Sequence, residues 1–544
     1  MRRQLATNFG SKQCLQLIQT WLRECKAKHT SKGCNLEDEQ GLRTRILDIS
    51  FTPPRLLLTN GQRGHFVALS HCWGNSSLPP PRTLASNLRE YCESGVPDNC
   101  LSATFRDAII MSRNLGYQYI WVDSLSIIQD DSKDWEHESG LMAAVYGRAD
   151  LVIGATSASD GSKGFLYPRP HYFQGIVHLP TPNEYEYPSW AIPYRSCLPH
   201  ISYSTHHEVY RPESDGPLEN RAWAFQERLL ARRFVSFGIH EVSWECNALL
   251  ACECSTVHDC DLDSENFSDR KFVPIHRKYN LRRKLNQNIT SRQLHDAWRR
   301  NVVQPYTKRQ LSRSSDRLVA MSAIAYEFST RISSQYLAGI WRDDLQHGLI
   351  WQCTDVTSTY VLGTPSWSWA SVQGPISWLR EKFDPAVCPE VVRVDYATSP
   401  DNVFGEPLAA SLTFRAKVFP KAELILSSDD GLEDSLTSTY KLRLSKANLF
   451  RPHMDMDVEP VESFRDEESL TTSARRRRSK MDDVVGPKQE YVAYGGVHFL
   501  HMGLHTILIL GPTSSQSGIF ERLGICYVPG ADIRSWKERE ITIV

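Results

Sequence analysis

Apolar runs and helical stripes alternate along residues 65–157. Three runs are short enough to be buried strands: HFVALSH (65–71), YIWV (119–122) and LVIGAT (151–156). The two segments between them carry apolar residues at helical spacing, with Ser102 and Ser132 as the predicted N-caps and Gly116 at the end of the first helix. Strand, helix, strand, helix, strand predicts an α/β fold with a parallel sheet and flanking helices.

Polar and aromatic side chains follow each of these predicted strands. They are Ser70, His71, Cys72 and Trp73 at the end of the first strand, Asp123 and Ser124 after the second, and Ser157 after the third. Ligands of α/β sheets bind beyond the carboxyl ends of parallel strands, so we expect a binding site along this edge. Ser70 and His71 are neighbours on a strand and should point to opposite faces, which argues against a Ser–His catalytic couple.

Beyond this region the pattern divides the chain further. We predict four parts: an N-terminal helical extension (1–38), an α/β domain (39–250, with core blocks 66–166 and 219–246), a polar helical connector (251–335) and a β-rich C-terminal module (336–544). Residues 427–438 and 452–490 are charged and Ser-rich, and they are predicted to be disordered loops of that module.

Composition narrows the class of protein. The 544 residues are 41% hydrophobic and 23% charged, with a net charge of -1. This charge favours neither nucleic acid nor an anionic membrane as a partner, and no apolar run is long enough to span a bilayer. The N-terminus lacks the apolar segment of a signal peptide, which predicts the cytosol, or the nucleus if ARRRRSK (474–480) is a localisation signal rather than a solvated loop.

Three blocks place Trp beside acids, amides and Ser: FVALSHCWG (66–74), YIWVDSLSIIQDD (119–131) and RAWAFQER (221–228). Within the last block, Glu227 lies four positions after Trp223, so both share one helix face. No Lys or Arg stands three or four positions away from it. Two interpretations remain open: a functional carboxylate, or a buried acid paired with a distant arginine such as Arg106 or Arg148.

These blocks resemble the fungal heterokaryon incompatibility (HET) domain. The resemblance extends to further segments: LRTRILDI (42–49), MAAVYGRADLVIGATSASDGSKGFL (142–166), SSDRLVAMSAIA (314–325), YLAGIWRDDLQHGLIWQC (336–353) and PSWSWASVQG (365–374). One position departs from the family, because Ser126 stands where a Cys is common. That departure argues against an essential thiol there.

The resemblance implies a role in non-self recognition and regulated cell death. HET domains are distantly similar to Toll/interleukin-1 receptor (TIR) domains, which are flavodoxin-like and in many cases cleave NAD. The resemblance implies that Glu227 is the catalytic residue. It also implies that the substrate is bound by Ser70, Trp73, Asp123, Trp223 and Gln226. NAD would be the substrate, with no cofactor and no metal, and self-association would complete the site. The alternatives are a non-enzymatic adaptor that recruits an unknown protein partner, or an inert paralogue.

Two groups of soft ligands raise the question of zinc. Cys25, His29 and Cys34 supply three ligands, and a turn at a helix end is the alternative interpretation. The segment from Cys246 to Cys260 is richer in Cys and His, but its spacing fits no standard zinc motif. The chain also lacks a dinucleotide-binding glycine fingerprint, a Walker A loop, a zincin helix and a hydrolase nucleophile elbow.

Overall fold

A computed structural model describes most of the chain, which divides into two compact units, Met1–Ile289 and Thr290–Val544. The described residues are 5–35, 40–74, 80–169, 174–179, 190–195, 216–253, 289–355, 358–379, 388–400, 402–426, 440–445, 448–450, 453–456, 491–503, 505–513, 518–527 and 536–544. Cys254, His258, Cys260, ARRRRSK and nearly all of the two predicted disordered loops lie outside these ranges.

The first unit alternates strands and helices. Its strands are β1 (Gln40–Gly41), β2 (Arg45–Asp48), β3 (Arg55–Leu58), β4 (Arg63–Gly64), β5 (Phe66–Ser70), β6 (Tyr119–Trp121), β7 (Leu151–Gly154), β8 (Gln174–Leu179), β9 (Trp190–Arg195), β10 (Arg233–Phe237), β11 (Val242–Cys246) and β12 (Leu250–Cys252). Its helices are α1 (Lys12–Lys28), α2 (Leu88–Glu93), α3 (Ala103–Asn114), α4 (Asp123–Ser126), α5 (Ser132–Arg148) and α6 (Ala222–Leu230), with 3-10 turns at Thr30–Lys32, Asp98–Cys100 and Pro217–Asn220.

Eight of these strands form one mixed sheet in the order β12-β11-β10-β7-β5-β6-β2-β3. The strands β10, β7, β5 and β6 are parallel to their neighbours within this group. At one side β2 pairs antiparallel with both β6 and β3, and at the other side β11 pairs antiparallel with both β10 and β12. The α/β prediction is confirmed, but the sheet is mixed, because antiparallel strands extend the parallel centre on both sides.

Helices cover both faces of the sheet. On one face Val67, Leu69 and Ile153 belong to a buried cluster with Trp21 of α1 and Phe105 of α3. The opposite face lies against α5 and α6. There the Trp121 ring meets the ring of Tyr146 edge to face at 5.7 Å, and the guanidinium of Arg228 lies 5.3 Å from the ring of Phe234. Residues at the strand ends are therefore positioned between two helical layers.

Helix ends follow the sequence closely, with one shift. The Ser102 side chain caps α3 by accepting from Phe105 N, and Gly116 follows the helix at φ +86°. The cap of α5 is Asp131 rather than Ser132, because its carboxylate accepts from the backbone N–H groups of Lys133 and Asp134. A carboxylate also suits the positive end of the helix dipole.

The second unit is helical first and then β-rich. Its helices are α7 (Ser291–Ala297), a π-helical segment (Trp298–Val303), α8 (Gln304–Tyr306), α9 (Asp316–Ser329) and α10 (Leu345–Gly348), with 3-10 turns at Arg342–Asp344 and Trp369–Ser371. Its strands are β13 (Tyr336–Leu337), β14 (Ile340–Trp341), β15 (Trp351–Cys353), β16 (Thr359–Tyr360), β17 (Val372–Gln373), β18 (Ile376–Trp378), β19 (Glu390–Thr398), β20 (Pro407–Leu426), β21 (Tyr440–Ser445), β22 (Asn448–Phe450), β23 (His453–Met456), β24 (Tyr491–His501), β25 (Thr506–Pro512), β26 (Ile519–Tyr527) and β27 (Lys537–Ile543).

Five long strands of this unit close on themselves. β20 pairs with β24, β24 with β25, β25 with β26, β26 with β27, and β27 pairs back with β20. The predicted β-rich C-terminal module is thus confirmed. β23 pairs with β26 and is a strand where the sequence predicts a loop.

Candidate functional site

The end of β5 meets the middle of α6 at a buried polar contact. The hydroxyl of Ser70 donates a hydrogen bond to Oε2 of Glu227. Ser70 is 1% exposed and Glu227 is 6% exposed. The last residue of a central parallel strand therefore binds a carboxylate that the helix directs toward the sheet.

The environment of Glu227 holds its carboxyl group partly protonated near neutral pH. Burial raises its pKa from 4.5 to about 7, an effect opposed by the Ser70 hydrogen bond, by the positive charge of Arg221 and by the Tyr146 hydroxyl. The negative charge of Asp123 raises the pKa further. Among the described residues, no Lys, Arg or His forms an ion pair with Glu227 within 4.0 Å. The sequence-based alternative of a carboxylate neutralised by Arg106 or Arg148 is therefore not what the structure contains.

A second polar contact joins the segment after β5 to the start of α4. Nε1 of Trp73 donates to Oδ2 of Asp123 at 2.7 Å. Nδ1 of His71 lies 3.7 Å from the other oxygen of the same carboxylate. Burial lowers the pKa of His71, so this ring is neutral at physiological pH although Asp123 favours its charged form. Asp123, which follows β6, thus contacts two ring nitrogens from the segment that follows the adjacent strand β5.

Ser70 and His71 point to opposite faces of the sheet, as their adjacency predicts. Ser70 contacts Glu227 of α6, whereas the His71 ring packs edge to face on Phe105 of α3 at 5.1 Å. The two side chains therefore cannot act together as a nucleophile and its base.

The other two predicted residues lie on α6. Trp223 is half-buried one turn before Glu227, and Gln226 is 1% exposed. Both take part in further interactions of the domain. Nothing in these positions assigns them a ligand, so their substrate-binding role stays a prediction.

Two residues of this neighbourhood escape the sequence reasoning. Arg221 stands just before α6, six positions from Glu227, which is outside the range of helical i,i+3 and i,i+4 pairs. Its charge nevertheless acts on Glu227, His71 and Cys72. Tyr146 of α5 donates to the Leu69 carbonyl oxygen at 3.2 Å and also acts on Glu227. Arg221 opens the same sequence block as Glu227, which is the signal that could have identified it.

Thiol chemistry has little support around this site. Burial raises the pKa of the Cys72 thiol to about 11, which keeps it protonated and weakly nucleophilic. Ser126, at the position where the family commonly has Cys, is 1% exposed, and its hydroxyl accepts from Val122 N at 3.4 Å. Cys72 packs in a small apolar cluster with Leu218 and Ala224, whereas Ser126 pairs with the local backbone.

The structure brings the predicted residues together as two neighbouring contacts, Ser70 with Glu227 and Trp73 with Asp123, at the carboxyl ends of β5 and β6. The charge of Asp123 acts on Glu227, which links the two contacts electrostatically. Such an arrangement offers an acid of raised pKa, a second carboxylate and aromatic surface within one region of the domain.

Comparison with known proteins bears on this same region. The family model described as Heterokaryon incompatibility protein (HET) matches residues 66–227, which run from the first residue of β5 to Glu227. Neither a curated protein nor a solved structure matches the chain significantly. Among the described residues, no helix has both the length and the apolar character needed to cross a bilayer. The matched range holds both polar contacts, and residues 66–227 of this chain are a heterokaryon incompatibility (HET) domain.

Proposed function

We propose that this chain acts in fungal heterokaryon incompatibility and triggers regulated cell death as a NAD glycohydrolase, with Glu227 as the catalytic residue. One observation carries the proposal: Ser70 at the end of a central parallel strand binds a buried Glu227 whose pKa is raised to about 7. Acids in such environments are concentrated at functional sites.

The strand order supports a flavodoxin-like and hence TIR-like interpretation. The parallel strands lie in the order β6-β5-β7-β10, which are the second, first, third and fourth of them along the chain. Flavodoxin-like sheets use the order 2-1-3-4-5 and bind ligand at the switch point between the first and third strands. In this chain that point lies between β5 and β7, next to Ser70.

The reaction breaks the bond between the nicotinamide nitrogen and the ribose carbon. The bonding electron pair leaves with the nitrogen, which makes nicotinamide neutral and leaves an oxocarbenium-like ribose. Water adds to that carbon and releases a proton, giving ADP-ribose. The ionised Glu227 carboxylate would stabilise the positive charge as it develops and orient the ribose hydroxyls. No separate general acid is needed, because the leaving group requires no proton.

The remaining predicted residues would bind the substrate. The half-buried indoles of Trp73 and Trp223 offer flat surfaces for a base, and the Trp73 ring is oriented by its bond to Asp123. Asp123 and Gln226 would hold hydroxyl and amide groups. A TIR-like enzyme commonly completes its site by self-association, so we expect the monomer to be quiescent.

The test is nicotinamide release from NAD by the purified full chain, both dilute and tethered as a dimer. Glu227→Gln should lower the rate by at least about 100-fold while preserving folding, because a neutral amide cannot stabilise the cationic transition state. Glu136→Gln, which alters an exposed glutamate of α5, is the matched control and should retain the wild-type rate. Release that persists in Glu227→Gln would contradict the proposal.

A second function is supported by the same contacts. Ser70 binds Glu227, and Trp73 binds Asp123, so these polar groups find partners within the domain, as a purely structural network requires. In that case the domain is an adaptor that triggers death by recruiting a partner. Expression in fungal cells separates the two: toxicity that survives Glu227→Gln, with no nicotinamide release by the wild type, identifies the adaptor.

A further inference from the structure

Four side chains of the first unit direct sulfur and nitrogen donors at one point. The donor atoms of Cys25, His29, Cys34 and Cys246 all lie within 4.8 Å of one another. The three thiols are almost completely buried, with Cys25 at 1% and Cys34 and Cys246 at 0% exposure. We propose that these four residues bind a structural zinc ion.

Three local structures deliver the ligands. Cys25 lies in the last turn of α1, and His29 is the C-cap residue of the same helix. Gly33 follows with φ +71°, a left-handed conformation that turns the chain back and places Cys34 beside them. Cys246 is the last residue of β11. The set is C-x3-H-x4-C plus one distant Cys, and the ligands from the helix end and the sheet converge because α1 packs on that sheet.

The donor geometry fits a tetrahedral ion. With zinc–sulfur and zinc–nitrogen bonds near ~2.3 and ~2.1 Å, two ligand atoms of a tetrahedron lie about 3.6 Å apart. Sγ of Cys246 and Nδ1 of His29 are separated by 3.4 Å. Three thiolates and one imidazole in a closed, buried arrangement are a standard ligand set for structural zinc.

A buried arginine supplies the matching charge. Nε of Arg233 donates to Sγ of Cys25 at 3.3 Å, and its other contacts are the Asp150 carbonyl oxygen at 3.0 Å and the Asn35 side-chain oxygen at 2.9 Å. Arg233 is 2% exposed, and in the described part of the chain no carboxylate forms an ion pair with it. A buried cation with neutral partners alone is unfavourable. Zinc with three thiolates carries one negative charge, which would neutralise Arg233 directly at the ligand it contacts.

Backbone and amide contacts hold the ligands in place around that point. The Ala248 N–H donates to Sγ of Cys246 at 3.4 Å, the type of bond that favours a thiolate. The Gly33 carbonyl oxygen accepts from Nδ2 of Asn247 at 2.8 Å and from Nη1 of Arg232 at 3.2 Å. The turn between His29 and Cys34 is thereby tied to the residue before β10 and to the residue after β11, so the ligands are positioned by hydrogen bonds as well as by packing.

The site lies outside the range that the HET family model matches. Cys25, His29 and Cys34 precede Phe66, and Cys246 follows Glu227. A metal there would join the N-terminal helix to the antiparallel side of the sheet, and it would stabilise the domain without taking part in its chemistry. This inference is therefore independent of the proposed NAD cleavage.

The experiment measures the zinc content of the purified full chain by inductively coupled plasma mass spectrometry, after dialysis against a weak chelator. We expect one zinc ion per chain in the wild type and its loss in Cys34→Ser. The matched control is Cys252→Ser, which removes another buried thiol of the same sheet that is not part of the cluster. Wild type without zinc, or zinc retained in Cys34→Ser, would overturn the assignment.

Cobalt replacement keeps the proposal testable if Cys34→Ser fails to fold. Purified in Co²⁺, the wild type should show visible bands of tetrahedral cobalt and a near-ultraviolet thiolate charge-transfer band. His29→Cys keeps four ligands and should strengthen the charge-transfer band, because it adds a thiolate. A wild-type spectrum of octahedral cobalt, or a disulfide between any two of Cys25, Cys34 and Cys246 in the freshly isolated protein, would refute zinc binding.

Discussion

Tryptophan-rich blocks occur in both units, but their indoles have different partners. In the HET domain the half-buried Trp73 donates to the carboxylate of Asp123. In the second unit Trp298 and Trp369, 1% and 0% exposed, both donate to one backbone carbonyl oxygen, that of Gly339, at 2.8 and 2.9 Å. The first arrangement uses a partly exposed carboxylate, whereas the second gives two buried indole N–H groups a hydrogen-bond acceptor within the core.

The hydrogen-bond acceptor of the indole N–H therefore distinguishes a candidate site from a packed interior. The presence of Trp alone does not. Core indoles meet backbone oxygens and other rings, as Trp298 meets Trp341 edge to face at 5.7 Å. Around Glu227 the contacts are between ionisable and polar side chains, which a core does not require. The following substitutions test this contrast, beginning with the largest expected effect.

Trp298→Ala should lower the free energy of unfolding of the second unit by about 4 kcal/mol, because it removes a fully buried aromatic side chain and leaves a cavity. Urea unfolding followed by near-ultraviolet circular dichroism measures it. Trp73→Ala, which truncates a half-buried indole, is the comparison and should lower stability much less. Equal losses would erase the distinction between the two regions.

Glu227→Gln should stabilise the HET domain above neutral pH. The pKa of Glu227 is about 7 in the folded state and 4.5 in the unfolded chain. Between these two pH values the folded state binds more protons than the unfolded state, so the stability of the wild type falls as the pH rises through this range. A neutral amide avoids that loss, which amounts to about 3 kcal/mol above pH ~7. Thermal unfolding of both proteins from pH ~4 to pH ~8 measures the difference. Curves that stay parallel across this range would show that Glu227 is not titrating there.

Gly339→Ala should destabilise the second unit by about 2 kcal/mol more than Gly363→Ala. Both glycines have positive φ, +96° and +85°, so the backbone strain of an alanine is similar at the two positions. A Cβ at Gly339 would lie 2.3 Å from Nε1 of Trp369, whereas nothing lies within 4 Å at Gly363. Chemical denaturation of the two variants isolates the clash, and indistinguishable midpoints would contradict tight packing of the indole.

The hydrogen bond between Trp73 and Asp123 should contribute about 1 kcal/mol to the free energy of unfolding, since one partner is ionised but partly exposed to solvent. The double-mutant cycle of Trp73→Phe and Asp123→Asn isolates this coupling energy in urea unfolding. Asp123 is 18% exposed, which is why the value falls below that of a buried charged pair. A coupling energy near zero would mean that the contact does not persist in solution.

The sequence predicted the centre of the fold well, because its signals are local. The strands β5, β6 and β7 are short apolar runs, and Ser102 and Gly116 mark the ends of α3 by their own backbone preferences. The antiparallel strands at both sides of the sheet were not predicted as such, because strand direction depends on pairing with distant segments rather than on apolar spacing.

Long-range partners limited the prediction of the sites. The grouping of Ser70 and Asp123 could be expected from the meeting of strand ends at one edge, whereas a place for Glu227 beside them was implied only by the family resemblance. The influence of Arg221 could not be expected, since it acts across the end of a helix rather than along its face. Cys246 stands 217 positions from His29, so the spacing of Cys25, His29 and Cys34 gave no sign of a fourth ligand.

The long strand β20 has a consequence for how the second unit opens. It pairs with β19, β21, β24 and β27, and two of these strands flank it at residues 412–415 and again at 424–426. Losing any single neighbour still leaves it anchored by the others. Its amide hydrogens between Leu412 and Arg415, where β19 and β27 pair on the two sides, should therefore be among the slowest of the unit to exchange with deuterated solvent, reporting collective rather than local opening.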